Sequence, residues 1–178
     1  VSYSKSRIAV ALLSLSATAF VARIAHEGYS NNAIIPTKGD VPTKGFGSTV
    51  NADGSRVRMG EQITPVEGVR LALTHIQKDE AKIKACIGPE VPLHQAEFDV
   101  YSELAYNIGN SGFCVNSKTG GPGVIPRNLK VGNYVGACNA ILQYKYAAGY
   151  DCSTPGNRRC SGVWKDRIRL NAQCLGVQ

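Results

Sequence analysis

Apolar residues recur at helical spacing in some stretches of the chain and not in others, and this contrast predicts its elements. Val66, Val69, Leu73, Ile76 and Ile83 follow Thr64-Pro65-Val66-Glu67, a threonine cap with proline at the first helical position and glutamate three after the cap. They predict a helix from there to about Ala85. Pro92 opens a second, with Phe98, Tyr101, Leu104, Ala105 and Ile108 on one face and an end at Gly109. A glycine-rich loop at 120–123 precedes a third, Val131 to Ala148, carrying Val135, Cys138, Ile141 and Leu142; Val163 to Leu175 reads as the last. Between Glu27 and about Gly60 the helical period is missing. Gly28, Pro36, Gly39, Pro42, Gly45, Gly47 and Gly54 break that stretch into short β-prone runs, and Asn51-Ala52-Asp53-Gly54 reads as a hairpin turn. A small antiparallel sheet is expected there. The order is one helix, a small sheet and a mainly helical lobe, an α+β domain.

The run Ile8 to Ala22 is uncharged, with Lys5 and Arg7 before it and Arg23 after it. It is short for a spanning helix, which needs about 20 residues, and serines and alanines dilute its leucines. Three readings stay open: a cleaved signal peptide with Ala17-Thr18-Ala19 as its site, a buried amphipathic helix, or an uncleaved anchor that sits loosely in a membrane and later lets go. The third divides the chain into an anchor helix over residues 1–23 and a catalytic domain over 24–178. Because Glu27 lies five residues after Ala22, an inserted anchor would hold Glu27 at the membrane surface.

The six cysteines, Cys86, Cys114, Cys138, Cys152, Cys160 and Cys174, form no CxxC pair, and there are three histidines. That favours disulfides in an oxidising compartment over a metal site; six buried thiols in a cytosolic protein are the alternative. Cys152 and Cys160 bracket a Pro155-Gly156 turn and are the first pair expected. The net charge of +7 fits an anionic partner. Its densest cluster is Arg158, Arg159, Lys165, Arg167 and Arg169, and no nucleic-acid readout motif accompanies it, so no nucleic-acid partner is expected. Tyr144, Tyr146 and Tyr150 either line a sugar site or pack.

Glycoside hydrolysis needs an acid for the leaving oxygen and a carboxylate or positioned water on the other side of the sugar. Glu27 ends an apolar stretch just before Gly28, where the chain turns. Gly39 to Gly47 then sets a second acid, Asp40, and a hydroxyl, Thr43, in a tight hairpin whose alternating glycines allow close backbone approach. Thr43 is placed to hold a water and Asp40 to activate it or stabilise charge; a turn residue is the other reading of Asp40.

His26-Glu27-Gly28, with Asp40-Val41-Pro42-Thr43-Lys44-Gly45-Phe46-Gly47-Ser48-Thr49, resembles the active-site region of the phage-type lysozymes, glycoside hydrolase family 24. Ala105-Tyr106-Asn107-Ile108-Gly109 resembles that family's central helix motif, and Gly162 to Ile168 its C-terminal segment. The resemblance runs roughly from Ile24 to Cys174. It implies a lysozyme-like fold and hydrolysis, without cofactor or metal, of the β-1,4 bond between N-acetylmuramic acid and N-acetylglucosamine in bacterial peptidoglycan. Glu27 matches the general acid and Thr43 the family's threonine. Counting back from Thr43 puts Thr37 in the second acid's place, so either Asp40 serves from a loop with an insertion, or Thr37 or water suffices; Asp40 is preferred. Tyr106 and Asn107 are the candidate substrate contacts, Asn107 either bonding an N-acetyl group or capping buried backbone. The N-terminus resembles the signal-arrest-release endolysins, which implies passing contact with the host inner membrane through residues 1–22, then action in the periplasm as a monomer. No cysteine lies in residues 1–85, so the cysteines read as structural bridges. A lytic transglycosylase and a non-catalytic peptidoglycan-binding module are the competing functions.

Overall fold

The computed structural model describes residues 6–37 and 39–178. Contacts divide the chain into two units, residues 16–80 and residues 81–178 joined by the N-terminal segment up to Leu15.

In the first unit, Ser16 caps helix α1 (Ala17–Glu27) by accepting the Ala19 N–H at 3.1 Å, and Gly28, at φ +70°, ends it. Strands β2 (Ser30–Ile34) and β3 (Thr43–Gly45) pair antiparallel, Ser30 opposite Gly45 and Ile34 opposite Thr43, with a bulge between. The turn expected at Asn51–Gly54 is present: Asn51 and Ser55 are bonded, Gly54 sits at φ +89°, and the Asp53 carboxylate takes the Ser55 hydroxyl and N–H, which holds its pKa below the usual range. Helix α2 (Pro65–Ile87) opens on the expected capping box. The Thr64 N–H donates to Glu67 at 2.9 Å and the Glu67 N–H returns to the Thr64 hydroxyl at 3.3 Å. Ala33, Val57, Leu71, Ala72 and Ile76 form this unit's buried apolar positions.

The helical unit differs from the sequence expectation in three places. The run Ile8 to Ala22 is not one helix. Its first part is strand β1 (Ile8–Ala9) and a 3-10 turn (Val10–Leu12), and helix resumes only at Ala17. The reason is long-range: β1 pairs with β4 (Pro92–Leu93), the N–H groups of Val10 and Ala11 donate to the carbonyls of Val91 and Pro89, and Val10 and Leu13 enter the core. No described helix is long and apolar enough to cross a membrane. Second, the helix opened by Pro92 begins later. His94 caps α3 (Gln95–Cys114), which passes its expected end after a break at Gly109 (φ +77°). Third, the helix expected over Val131–Ala148 is replaced by separate pieces. Helix α4 (Val124–Lys130) stops at Gly132, whose φ is +72°; Asn133 then caps α5 (Tyr134–Ala140) by accepting the Gly136 N–H. A 3-10 turn (Ile141–Gln143) leads to a ribbon of β5 (Tyr146–Ala147) and β6 (Tyr150–Asp151). The glycine and asparagine, a stop followed by a cap, outweigh the apolar periodicity. Helix α6 (Ser161–Leu175) closes the chain as expected.

The core of this unit is the expected α3 face of Phe98, Tyr101, Leu104 and Ala105, with Ile83, Ile87, Phe113, Ile125, Leu129, Ile141 and Leu170. All six cysteines pair: Cys86–Cys114, Cys138–Cys174 and the expected Cys152–Cys160. The first two close separations of 28 and 36 residues, and each restricts the unfolded chain by about 4 kcal/mol on a chain-entropy estimate.

One acid is entirely inside this core. Glu97 is 0% exposed. Its carboxylate takes two bonds from the Arg7 guanidinium, at 3.1 and 3.2 Å, and others from the His94 N–H (2.8 Å) and the Gln178 carboxamide (2.8 Å). Arg7 also lies 3.8 Å above the Tyr134 ring and donates to Gln178. A buried carboxylate is tolerated only when paired and fully bonded. The N-terminal segment therefore supplies the counter-charge as well as two core side chains. Arg7→Met should destabilise the protein by about 3 kcal/mol, the cost of stranding a buried charge. Chemical denaturation of Arg7→Met, Glu97→Gln and the double variant measures it; a change under about 0.5 kcal/mol, the scale of surface substitutions, would mean that Glu97 is satisfied without Arg7.

Candidate active site

Glu27 is the last residue of α1, and Gly28 turns the chain away from it. The Glu27 side chain lies against Gly47: a Cβ built on Gly47 would stand 2.7 Å from Glu27 Oε2. Gly47 has a φ of +73° as well, so both space and backbone conformation call for glycine here. Gly45, two residues earlier, faces the other way. A Cβ there would lie 3.3 Å from the Gly68 Cα of α2. One hairpin thus touches α1's terminal acid with one glycine and α2's backbone with the other, which is the close approach the alternating glycines predict.

The hairpin is locked from both sides. Lys44 and Ser48 exchange two backbone hydrogen bonds of 3.0 Å around the Gly45–Gly47 turn. The Lys44 ammonium, with only 11% of its side chain exposed, sits 2.8 Å from Glu61. Glu61 also takes bonds from the Asn51 carboxamide and the Arg58 N–H, and the Lys44 bond is the largest cause of its lowered pKa. Between the two glycines, Phe46 packs its ring 5.3 Å from that of Tyr29, whose hydroxyl donates to the Ile63 carbonyl at 2.7 Å. Beyond Tyr29 lies a cavity of 340 Å³, lined by Tyr29, Asn31, Gln62, Ile63, Thr64, Pro65 and Glu67. Tyr29, Lys44 and Glu61 were not singled out from the sequence. Only the position of Tyr29, two residues after Glu27, was a signal; the Lys44–Glu61 pair spans 17 residues and leaves no local trace.

Thr43 opens β3, half-buried, and its hydroxyl donates weakly to the Ile34 carbonyl at 3.4 Å. Asp40 is exposed in the loop joining β2 to β3. Its N–H donates to the Thr37 carbonyl at 2.9 Å, so Thr37 and Asp40 are the two ends of one tight turn; its carboxylate takes the Val41 N–H at 2.8 Å. Glu27, Thr37, Asp40 and Thr43 belong to the same unit. Tyr106 and Asn107 are exposed on α3, just before the Gly109 break, in the helical unit. Among the described residues no group of histidine, cysteine and acidic side chains could hold a metal ion. In chemical terms the first unit offers a carboxyl group fixed against backbone, a hydroxyl at the head of the neighbouring strand, and a second carboxylate in the loop before it.

Comparison with known proteins bears on what this arrangement does. The sequence model of the family described as phage lysozyme matches residues 24–161. The endolysin of Salmonella phage P22 is 32% identical over 134 residues, 75% of this chain and 85% of that protein. A solved P22 lysozyme mutant superposes with a TM-score of 0.68 at 26% identity, covering 92% of this chain and 99% of the other. The active form of the P1 phage endolysin Lyz gives a TM-score of 0.68 at 20% identity, covering 90% and 85% of the two chains, a likeness of fold.

Gly47→Ala should drive the Glu27 carboxyl from its seat and cost about 1 kcal/mol through the left-handed backbone alone. A crystal structure and a denaturation curve of the variant check both; an unmoved Glu27 would mean that the hairpin yields instead.

Proposed function

The chain belongs to the phage lysozyme family, and from that membership we propose that it is an endolysin that hydrolyses the β-1,4 bond between N-acetylmuramic acid and N-acetylglucosamine in peptidoglycan. The observation that carries the reading is the Glu27 carboxyl held against Gly47, in the hairpin whose strand opens on Thr43. Glu27 gives its proton to the glycosidic oxygen as the bond to the muramic C1 breaks, which frees the glucosamine 4-hydroxyl. Thr43 positions a water, which adds to C1 as Asp40 takes its proton. Support for Asp40 over Thr37 is chemical: in their shared turn it carries the only carboxylate. Tyr106 and Asn107 contribute contacts to the sugar chain.

A lytic transglycosylase would use Glu27 alone, without an activated water. Thr43 and Asp40 beside the hairpin favour hydrolysis.

We place the enzyme's work in the periplasm, after residues 1–22 have left the host inner membrane. Three disulfide pairs fit an oxidising compartment. Residues 6–15 are kept in the working enzyme on this reading. Their strand pairing, their two core side chains and Arg7 all belong to the helical unit. A purely inhibitory anchor could be deleted without harm; deleting residues 1–15 should leave an unfolded, inactive protein.

The experiment is hydrolysis of purified peptidoglycan with product ends identified. Wild type should release reducing muramic ends, and Glu27→Gln should lose about a thousandfold in rate. Asp40→Asn should lose about a hundredfold, with Thr37→Ala near normal. Anhydro-muramic ends would make the enzyme a transglycosylase. Normal rates in Asp40→Asn would move the second role elsewhere.

A further inference from the structure

The ribbon β5–β6 in the helical unit is built to stand exposed. A two-residue pair of strands has too little contact to hold its own shape, and here the Cys152–Cys160 disulfide and a polar clamp hold it. The Cys152 N–H donates to the Lys145 carbonyl, the Asn157 carboxamide to the Asp151 carbonyl, and Lys145 pairs with Asp151 at 2.8 Å. With Ser153 also bonded to it, Asp151 is pulled down to about 2 and stays ionised. At the tip, Ala148 takes a φ of +48°, the only positive value at a non-glycine among the described residues; such strain persists where surrounding structure enforces it.

What this rigid ribbon displays is aromatic and cationic. Tyr146 is 64% exposed and Tyr150 44%. Tyr146 pairs with Asp151 and Tyr150 with Ala147, so the two rings project from opposite faces. Each has a cation beside it, the Lys145 ammonium 5.4 Å from the Tyr146 ring and the Arg159 guanidinium 4.6 Å from that of Tyr150, to whose hydroxyl it donates. The basic cluster read from the sequence divides here. Arg167 is buried against the Tyr144 carbonyl and Asp166, and Arg169 pairs with Glu103 and Asp166. Arg158 and Arg159 are exposed and pair with no carboxylate among the described residues. Residues 145–160 carry three cations against one acid.

We propose that this stapled ribbon, through Tyr146, Tyr150, Arg158 and Arg159, holds peptidoglycan strands, a wall-binding surface on the helical unit. It rests on the peptidoglycan reading above. A tyrosine face stacks on the apolar face of a pyranose, and an arginine that has no carboxylate partner among the described residues binds the carboxylate of the stem that branches from every muramic unit. Rings on opposite faces suit a cross-linked net with strands on both sides. They do not suit a single nucleic-acid strand, whose successive bases need one continuous stacking platform. Rigidity lowers the entropy lost on binding.

The test is co-sedimentation with purified insoluble peptidoglycan of the Glu27→Gln protein, which binds without cutting. Adding Tyr146→Ser with Tyr150→Ser should weaken binding roughly tenfold, and adding Arg158→Ser alone should weaken it and reduce its salt dependence. With Glu27 intact, the double tyrosine variant should clear insoluble wall more slowly by a similar factor, yet cleave short soluble glycan oligomers at the wild-type rate. A melting curve shows whether the double variant folds; if it does not, Tyr146→Ser alone carries the test at the more exposed ring. Undiminished wall binding overturns the proposal. So do equal losses on insoluble and soluble substrates, or tighter binding of anionic vesicles or single-stranded DNA through the same residues. If wild type cuts no peptidoglycan, the lysozyme reading fails, and binding by the Glu27→Gln protein still reports on the ribbon separately.

Discussion

A carboxylate with no access to water must be answered by a charge, and Glu97 sets that demand on the helical unit. The charge comes from Arg7, 90 residues away in sequence. Around the pair gather the cap of α3, the Tyr134 ring and the chain's last residue, Gln178. Gln178 reaches on to the Cys174 carbonyl, so the network runs up to the Cys138–Cys174 bridge. Apolar burial would let neighbouring side chains trade places at modest cost. A buried ion pair does not, because any arrangement that separates its partners strands a charge. The pair thereby fixes where the N-terminal segment lies in this unit, and β1 and the burial of Val10 and Leu13 follow.

In the first unit the constraint is steric. The 2.7 Å between Glu27 Oε2 and the place of a Gly47 Cβ leaves no tolerance for a side chain. Because Gly45 contacts α2 and Lys44 is tied to Glu61, the hairpin cannot drift toward or away from the acid without breaking another contact. For a general acid this matters, since proton transfer depends on placement within hydrogen-bond reach.

What the sequence made legible was local. The Thr64–Glu67 box, the Asn51–Gly54 turn and the Cys152–Cys160 pair each lie within a few residues, and each formed as read. The motif around Glu27 and Thr43 was readable because its glycines do geometric work that few other residues can do. Val131 to Ala148 misled because apolar spacing persists across Gly132 and Asn133, while Val131 and Val135 prove to be exposed. Nothing local marks Glu97 as buried. Its burial and its partner are set by residues that no local window includes, as are the β1–β4 pairing and the Lys44–Glu61 tie.

The same non-locality explains why the segment from Ile8 to Ala22 read three ways. Uncharged runs of this length carry one signal for lipid, for a core helix and for a buried strand. On the membrane reading proposed above, the ambiguity is a requirement. A segment that must leave lipid and then join a protein core cannot be strongly apolar, or it would stay. It cannot be polar either, or Val10 and Leu13 would have nothing to contribute. Ser16 meets both conditions: its hydroxyl accepts the Ala19 N–H and caps α1, the helix that ends in Glu27. A hydroxyl that weakens this run as a membrane span is therefore also the group that starts the helix carrying the acid.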